Sequence, residues 1–332
     1  MYFALVIVLF LVCASVFVNG WTDAPNAIAT VISTRVLSPR AAILLAAVFN
    51  LAGVTLMGTA VAKTTANIVA IGTGQDALVT LAAAQLSIVI WAVSAWKFGI
   101  PTSESHALIA GLMGAGISFK GLGAFNWAEF KKVLYGLVIA SILGFIAGFV
   151  MTKIIKFTFR NSNRRKANVF FSWGQIVSAS LMAFSHGAQD GQKFMGVFTL
   201  ALVVGGALPA SENLVIPLWI KLLISLLMAV GTSIGGNRII KTMGMDMVKL
   251  EKYQGFSAEI GASACMLGAT AFGIPLSTTN AKGTAIMGAG AAKSISNVNW
   301  GIVKEMFTAW ILTFPACLIL GFVMAKFFTF IF

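Results

Sequence analysis

Two copies of one segment decide the fold: FGIPTSESHALIAGLMGAG at residues 98–116 and FGIPLSTTNAKGTAIMGAG at residues 272–290. Ten of the 19 positions are identical, at the one constant offset that relates Pro101 to Pro275. Proline disfavours helix at its own position and at the residue before it, so a helix should end before Pro101 and Pro275 and restart after each. The second arms are short and glycine-rich, which suits half-membrane elements. The copies therefore predict two re-entrant helical hairpins.

The rest of the chain is apolar enough to lie in a lipid bilayer. Of its 332 residues, 58% are hydrophobic and 10% are charged, against about 25% charged in soluble domains. A helix needs roughly 20 mostly apolar residues to span a bilayer. Stretches that reach or approach this length without a charged residue begin at Met1, Ala41, Ala77, Val133, Phe194, Ile260 and Met306. The first lacks a basic segment before it and is interpreted as a membrane helix, not a cleaved signal. The fold class is therefore predicted as an all-α polytopic membrane protein.

A second, weaker repeat lies nearer the start of each half. Asn19–Asn26 and His186–Lys193 both contain Gly-x-x-Asp, so that Asp23 and Asp190 occupy the same position of the unit. Each half is predicted to open with a helix that breaks at this unit. The domains are a first membrane repeat (1–155), a basic cytoplasmic linker (156–168) and a second, inverted membrane repeat (169–332). Duplicated transporters bind substrate between their repeats, although a duplication retained only for packing would show the same pattern.

Charge and motifs exclude several classes of function. The formal net charge of +13 would suggest nucleic acid for a soluble protein, but here it indicates basic cytoplasmic loops, and no nucleic-acid partner is expected. No catalytic triad, CxxC, HExxH or phosphate-binding GxxxxGK[ST] occurs, so neither an enzyme nor a cofactor is predicted. Any driving energy must come from an ion gradient or from another protein.

The hydroxyl residues after each proline predict an anion site. Helix starts present free N–H groups and partial positive charge, and Ser and Thr hydroxyls can donate to an oxyanion. Ser103 and Ser277 could instead only cap their helices. Two matched loops at membrane depth favour a ligand held between two helix starts. The candidate substrate-binding residues are Thr102, Ser103, Glu104, Ser105, Ser277, Thr278 and Thr279.

The Gly-x-x-Asp units predict a site for a coupling ion. Ionisable residues in apolar segments are costly and are functional by default. Oxygen ligands suit a hard cation, so Asp23, Asn26 and Asp190 are candidate Na⁺ ligands. Proton binding by the two aspartates and simple helix capping are the alternatives. The transported Na⁺ or H⁺ would be a coupling ion, not a cofactor.

Other polar residues interrupt the apolar segments. His106 matches Asn280 across the repeat, and both are candidates for the coupling-ion site. Supporting candidates are Thr22, Gln189, Lys193, Gln85 and Glu259. Lys193 could balance Asp190, attract an anion, or extend to the membrane interface.

Four ordered segments resemble the inorganic phosphate transporter (PiT) family, and the short linker resembles its prokaryotic members. They are residues 20–30, 101–107, 185–193 and 275–280. The resemblance implies uptake of inorganic phosphate by symport with Na⁺ or H⁺, an inverted-repeat fold with substrate at the hairpin tips, and a homodimer. Thr22 and Gln189 stand where the family usually has Asn, which bears on the choice of ion.

The predicted function is secondary active uptake of phosphate across the cell membrane, the inner or plasma membrane, by alternating access. One alternative is a permease for sulfate or another oxyanion. A passive anion channel is a second alternative, although a channel needs no coupling site. A membrane receptor that senses phosphate is a third, and the chain shows no extramembrane signalling domain to support it.

Overall fold

The structure is a computed structural model that describes residues 2–68, 74–124, 126–209 and 215–331. This part of the chain is helical, and an isolated bridge joins Val248 to Val298. The α-helices are α1 (Tyr2–Thr22), α2 (Pro25–Ser33), α3 (Pro39–Leu56), α4 (Ala60–Ala66), α5 (Gln75–Lys97), α6 (Glu104–Lys120), α7 (Trp127–Thr158), α8 (Arg164–His186), α9 (Gln192–Val204), α10 (Leu218–Gly235), α11 (Asn237–Lys241), α12 (Lys252–Ala271), α13 (Thr278–Lys293) and α14 (Trp300–Ile331).

Several of these helices can cross a membrane. In the described ranges, six helical stretches are long and apolar enough, and a seventh candidate is the pair Leu218–Ile234 and Arg238–Asp246, bent by 71°. Large apolar side chains are exposed along α7, α10 and α14, as a lipid-facing surface requires. The prediction of an all-α polytopic membrane protein is confirmed.

Both repeated segments form helical hairpins, as the two prolines predicted. Hairpin 1 is α5 and α6, and hairpin 2 is α12 and α13; the two arms of each pack together. Their connections, residues 98–103 and 272–277, are called tip loops 1 and 2. Each first arm ends at a left-handed glycine, Gly99 with φ 71° and Gly273 with φ 66°, a conformation that residues with a Cβ rarely adopt.

The opening helix breaks in the first half only. Asp23 and Ala24 separate α1 from α2, whereas α8 continues into α9 through a π-helical turn, Gly187–Gly191. The predicted break at the second Gly-x-x-Asp is therefore wrong. Pro25 follows the first unit, and proline cannot donate to the preceding turn. The corresponding residue of the second half is Gln192, whose backbone N–H lets the helix continue after the π turn.

The basic linker is mostly helical. Helix α7 continues to Thr158 and α8 begins at Arg164, capped by the Asn163 side chain. Only residues 159–163 of the segment 156–168 lie outside these helices. The division of the chain into two membrane repeats stays a prediction.

Helix contacts in one half have counterparts in the other. Helix α1 packs on α10 as α3 packs on α8, and α6 packs on α14 as α13 packs on α7. Glycine permits the closest of these approaches. A Cβ on Gly53 would lie 2.0 Å from the Phe184 carbonyl oxygen, and one on Gly231 would lie 2.1 Å from that of Phe17. Each hairpin thus packs its second arm on the last helix of the opposite half.

Candidate functional site

The two tip loops meet inside the protein. The Thr279 hydroxyl lies 3.2 Å from the backbone carbonyl oxygen of Thr102, and the Ser105 hydroxyl donates to that of Leu276 at 3.1 Å. All four residues are buried. The starts of α6 and α13, with their unsatisfied N–H groups and partial positive charge, are therefore close together.

Two serines of the candidate site cap these helices. The Ser103 hydroxyl accepts from the His106 N–H at 3.3 Å, and the Ser277 hydroxyl accepts from the Asn280 N–H at 3.1 Å. Ser277 also donates to the Asn280 side-chain oxygen at 2.8 Å. Each cap satisfies one N–H of its helix start and leaves the others of the first turn for a ligand.

Asp23 lies between α1 and α2 and reaches the start of α13. Its Oδ1 accepts from Asn26 Nδ2 at 2.6 Å and from the Thr279 hydroxyl. The Thr278 hydroxyl lies 3.3 Å from Oδ2. Asp23 and Asn26 are both 1% exposed, so this carboxylate is buried among protein groups.

Asp190 lies on the π-helical turn and has a richer set of partners. Its Oδ1 accepts from Lys193 Nζ at 2.6 Å, and its Oδ2 accepts from Asn19 Nδ2 at 3.3 Å. The Thr278 hydroxyl is 3.0 Å and His186 Nε2 is 3.4 Å from Oδ2. The same threonine thus contacts both aspartates, which brings the two Gly-x-x-Asp units together at hairpin 2.

These residues could hold a cation. One ligand atom each of Asp23, His186 and Asp190 lies within 4.8 Å of the others. The side-chain oxygens of Asn19 and Asn26 are buried and, in the described part of the chain, have no hydrogen-bond partner. Carboxylate and amide oxygens are what a hard cation such as Na⁺ prefers.

Lys193 occupies the junction of both tips. Besides Asp190, its ammonium contacts the Ser105 hydroxyl and the Leu276 carbonyl, each at 2.5 Å. The side chain is buried and does not extend to the membrane interface. Its contacts match the interpretation that Lys193 balances Asp190. It reaches both hairpins from α9.

Thr22 and Gln189, the residues before the two aspartates, each bind a hairpin. The Thr22 hydroxyl donates to the Glu104 carboxylate at the start of α6. Gln189 accepts from the Leu276 N–H at 3.0 Å and donates to the Thr270 hydroxyl at 2.8 Å. Both therefore position tip loops, and neither has a hydrogen bond to an aspartate in the described ranges.

His106 and Asn280 line a cavity of about 360 Å³ between α7 and α14. The His106 ring packs against Phe314 at 5.0 Å between centroids, and Asn280 Nδ2 is 3.4 Å from the Ser141 hydroxyl. Asp23 and Asp190 do not line this cavity. The structure thus brings His106 and Asn280 to one cavity, which is separate from the cluster around Asp23 and Asp190.

Glu259 forms a second buried polar cluster. Its carboxylate accepts from the Thr30 and Ser178 hydroxyls and lies 3.7 Å from Lys282 Nζ. Both ionic side chains are fully buried. The matching position in hairpin 1 is Gln85, which accepts from a serine hydroxyl at 2.6 Å, so the ion pair is a feature of the second half.

A family model described as the phosphate transporter family (PHO4) matches residues 19–168 and 158–321. The chain belongs to the phosphate transporter family. This membership confirms the resemblance seen in the sequence and the prediction of a transporter, not an enzyme.

Curated relatives of this family are similar over nearly the whole chain. A probable low-affinity inorganic phosphate transporter of Bacillus subtilis (strain 168) is 40% identical over 95% of this chain and 94% of its own. The Rhizobium meliloti (strain 1021) protein of the same name is 37% identical over 92% and 90%. A solved structure described as "The sodium-dependent phosphate transporter" is 21% identical and covers 99% of this chain and 100% of its own, with a TM-score of 0.89. That likeness shows that the fold is shared.

Asn19 and His186 are partners of Asp190 that the sequence did not single out. They occupy corresponding positions of the two Gly-x-x-Asp units, and His186 precedes Asp190 by four positions. On a helix that spacing places two side chains on one face. The same comparison pairs Asn26 with Lys193, so a full alignment of the two units contains the signal for all four residues.

Proposed function

We propose that this member of the family takes up inorganic phosphate by symport with Na⁺. The observation that carries the proposal is the charge of the cluster at the tips. Three carboxylates of the described residues lie there, those of Asp23, Glu104 and Asp190, and the one ammonium in the cluster, that of Lys193, pairs with Asp190. Buried carboxylates without a paired cation must be neutralised by a cation or a proton, and a phosphate anion could enter beside them only once they are neutralised.

The two helix starts would hold the oxyanion. The N–H groups of the first turns of α6 and α13, with the hydroxyls of Ser105, Thr278 and Thr279, offer donors from both hairpins. Ser103 and Ser277 would shape the two starts as caps. Release would need only that the tips separate, because these donors are hydroxyls and N–H groups and not an arginine fork.

The coupling ion would lie among the oxygens of Asp23, Asn26, Asn19 and Asp190. The names of the curated relatives support phosphate as the substrate, and that of the solved structure supports sodium as the ion. His106 and Asn280 would act from the neighbouring cavity by fixing the tips. Proton coupling through the same aspartates is the competing mechanism.

Alternating access would follow from the arrangement of the halves. The candidate site is buried, and its residues come from both hairpins and both opening helices. Rocking of segment 1–155 against segment 169–332, as inverted repeats, would expose the tips to one side at a time. We propose that the protein lies in the cell membrane and forms a homodimer.

Purified protein in liposomes tests this function. With Na⁺ outside and choline inside, labelled phosphate should accumulate above its equilibrium level, and replacing external Na⁺ by choline should abolish accumulation at two pH values. Accumulation that follows pH and ignores Na⁺ would instead establish proton coupling. Sulfate accumulated in place of phosphate, or an anion current independent of both cations, would contradict the proposal.

A further inference from the structure

Both tip loops begin with the same turn. After each first arm, Gly99 and Gly273 adopt left-handed backbone, and the next N–H, from Ile100 or Ile274, returns to the carbonyl five residues earlier at 3.1 and 2.9 Å. The turn satisfies the last carbonyls of the arm, but the carbonyl of the glycine itself has left the helix. It needs a donor from elsewhere.

A threonine hydroxyl supplies that donor in each case. Thr242, which follows α11, donates to the Gly99 carbonyl at 2.9 Å. Thr64, on α4, donates to the Gly273 carbonyl at 2.8 Å. The two glycines occupy the same position of the repeated segment, so the two hydrogen bonds have matching acceptors.

The spacing along the chain identifies the two threonines as counterparts. Gly53 on α3 and Gly231 on α10 each make the close helix approach described above. Thr64 follows Gly53 by the same number of positions as Thr242 follows Gly231. The segment α3–α4 therefore aligns with α10–α11, and Thr64 and Thr242 make the same contact at the same place in the two halves.

Each hydrogen bond joins opposite halves. Thr64 belongs to the first half and holds hairpin 2, whereas Thr242 belongs to the second half and holds hairpin 1. Both threonines are only half-buried. Tip loop 1 has an additional tie, because Arg238 donates to the Lys97 carbonyl at 2.5 Å and lies 4.7 Å over the Trp96 ring.

We propose that Thr64 and Thr242 are paired latches, positioning residues that each keep one hairpin tip closed. The inference rests on the proposed alternating access, in which the halves must part at one tip loop at a time. Opening tip loop 1 would break the Thr242 bond, and opening tip loop 2 would break the Thr64 bond. With both bonds formed, the structure corresponds to a state closed on both sides.

The strength of such a latch suits repeated opening. One neutral hydrogen bond at a half-buried position changes an equilibrium by about two- to ten-fold. Removing a latch should therefore raise the open population of its own tip loop by that factor and leave the other loop unchanged. A purely structural hydrogen bond would instead lower the stability of the whole fold without distinguishing the loops.

Thiol labelling at the two loops tests the proposal. The background carries Cys13→Ala, Cys265→Ala and Cys317→Ala, and a single reporter, Ile100→Cys or Ile274→Cys, occupies corresponding positions of the two loops. Into each reporter protein we would place Thr64→Val or Thr242→Val, and as controls Thr64→Ser, Thr242→Ser and Thr308→Val. The Thr308 hydroxyl bonds within its own helix, to the Lys304 carbonyl at 2.8 Å. Labelling rates by a water-soluble maleimide are measured in liposomes without phosphate or Na⁺.

Thr242→Val should speed labelling at position 100 about two- to ten-fold and leave position 274 unchanged, and Thr64→Val should do the reverse. The serine variants and Thr308→Val should label at the parental rate. Equal acceleration at both positions, or acceleration at neither, would overturn the proposal. The readout needs no transport, so loop-selective labelling in a protein that fails to accumulate phosphate would contradict the proposed function alone.

Discussion

At the scale of single residues, the two aspartates are solvated differently although their motifs match. Asp23 is held by neutral groups, whereas Asp190 is paired with the Lys193 ammonium at 2.6 Å. The sequence predicted both aspartates as functional from their apolar surroundings. It did not show that Asn19 would bind Asp190 and not Asp23, because that contact depends on the packing of α1 against the second half. His186, in contrast, reaches Asp190 from four positions earlier along the same helical stretch.

Asp23→Asn and Asp190→Asn should both reduce Na⁺-driven phosphate uptake to background, but only the second should strongly destabilise the fold. Removing the charge of Asp190 leaves the Lys193 ammonium buried without its partner, at a cost of about 3 kcal/mol. Asp23→Asn should cost about 1 kcal/mol. Thermal unfolding in detergent measures this, with the exposed Asp76→Asn as control. Equal destabilisation by the two variants would contradict the difference in pairing.

The Glu259–Lys282 pair offers a test of buried charge away from the tips. Lys282→Met alone should destabilise by about 3 kcal/mol because it strands the carboxylate, and adding Glu259→Gln should restore much of the loss. Unfolding midpoints of the single and double variants give the coupling. Lys293 and Glu251, 2.6 Å apart but 44% exposed, form the control pair and should couple by about 1 kcal/mol or less. Additive effects at 259 and 282 would contradict the ionic pairing.

At the scale of elements, the hairpins were predictable and the π turn was not. Pro101 and Pro275 disfavour a continuous helix wherever they occur, so local chemistry sufficed. The two Gly-x-x-Asp units look alike, but Pro25 follows one and Gln192 the other, and Gln192 also bonds the Met57 carbonyl at 2.8 Å. A helix at that point continues or breaks according to the residue after the motif, together with contacts from a distant part of the chain.

Close helix packing gives a prediction at this scale. Gly53→Ala should push α3 from α8, since its Cβ would lie 2.0 Å from a backbone oxygen, and should destabilise by about 1–3 kcal/mol. Gly268, inside α12, has nothing within 4 Å of a Cβ, so Gly268→Ala should be neutral or stabilise by up to about 1 kcal/mol. Melting in detergent compares them. A Gly53→Ala protein as stable as the parent would show that α3 and α8 can separate without cost.

At the scale of the whole molecule, the sequence revealed the repeats but not how they interlock. A fixed offset along the sequence indicates that two segments correspond. It does not indicate whether each segment packs against its own half or against the other. In the structure, α6 lies on α14 and α13 lies on α7, so each half supplies the support for the other half's hairpin. This exchange places both helix starts beside Asp23 and Asp190 in one site.

Because the candidate site holds three buried carboxylates and one ammonium among the described residues, the proposed symport predicts that binding of Na⁺ and phosphate is reciprocal. Sodium without phosphate should stabilise the protein. Phosphate should stabilise it in NaCl but not in choline chloride, because without sodium the anion would meet carboxylates that are not neutralised. Saturating phosphate in NaCl should add about 2–3 kcal/mol, the value expected at roughly 100 times the dissociation constant. Unfolding midpoints in the two salts, at one ionic strength, measure this. Asp23→Asn should weaken the stabilisation by sodium. Equal stabilisation by phosphate in both salts would show that the anion binds without a cation and that charge compensation is not the basis of coupling.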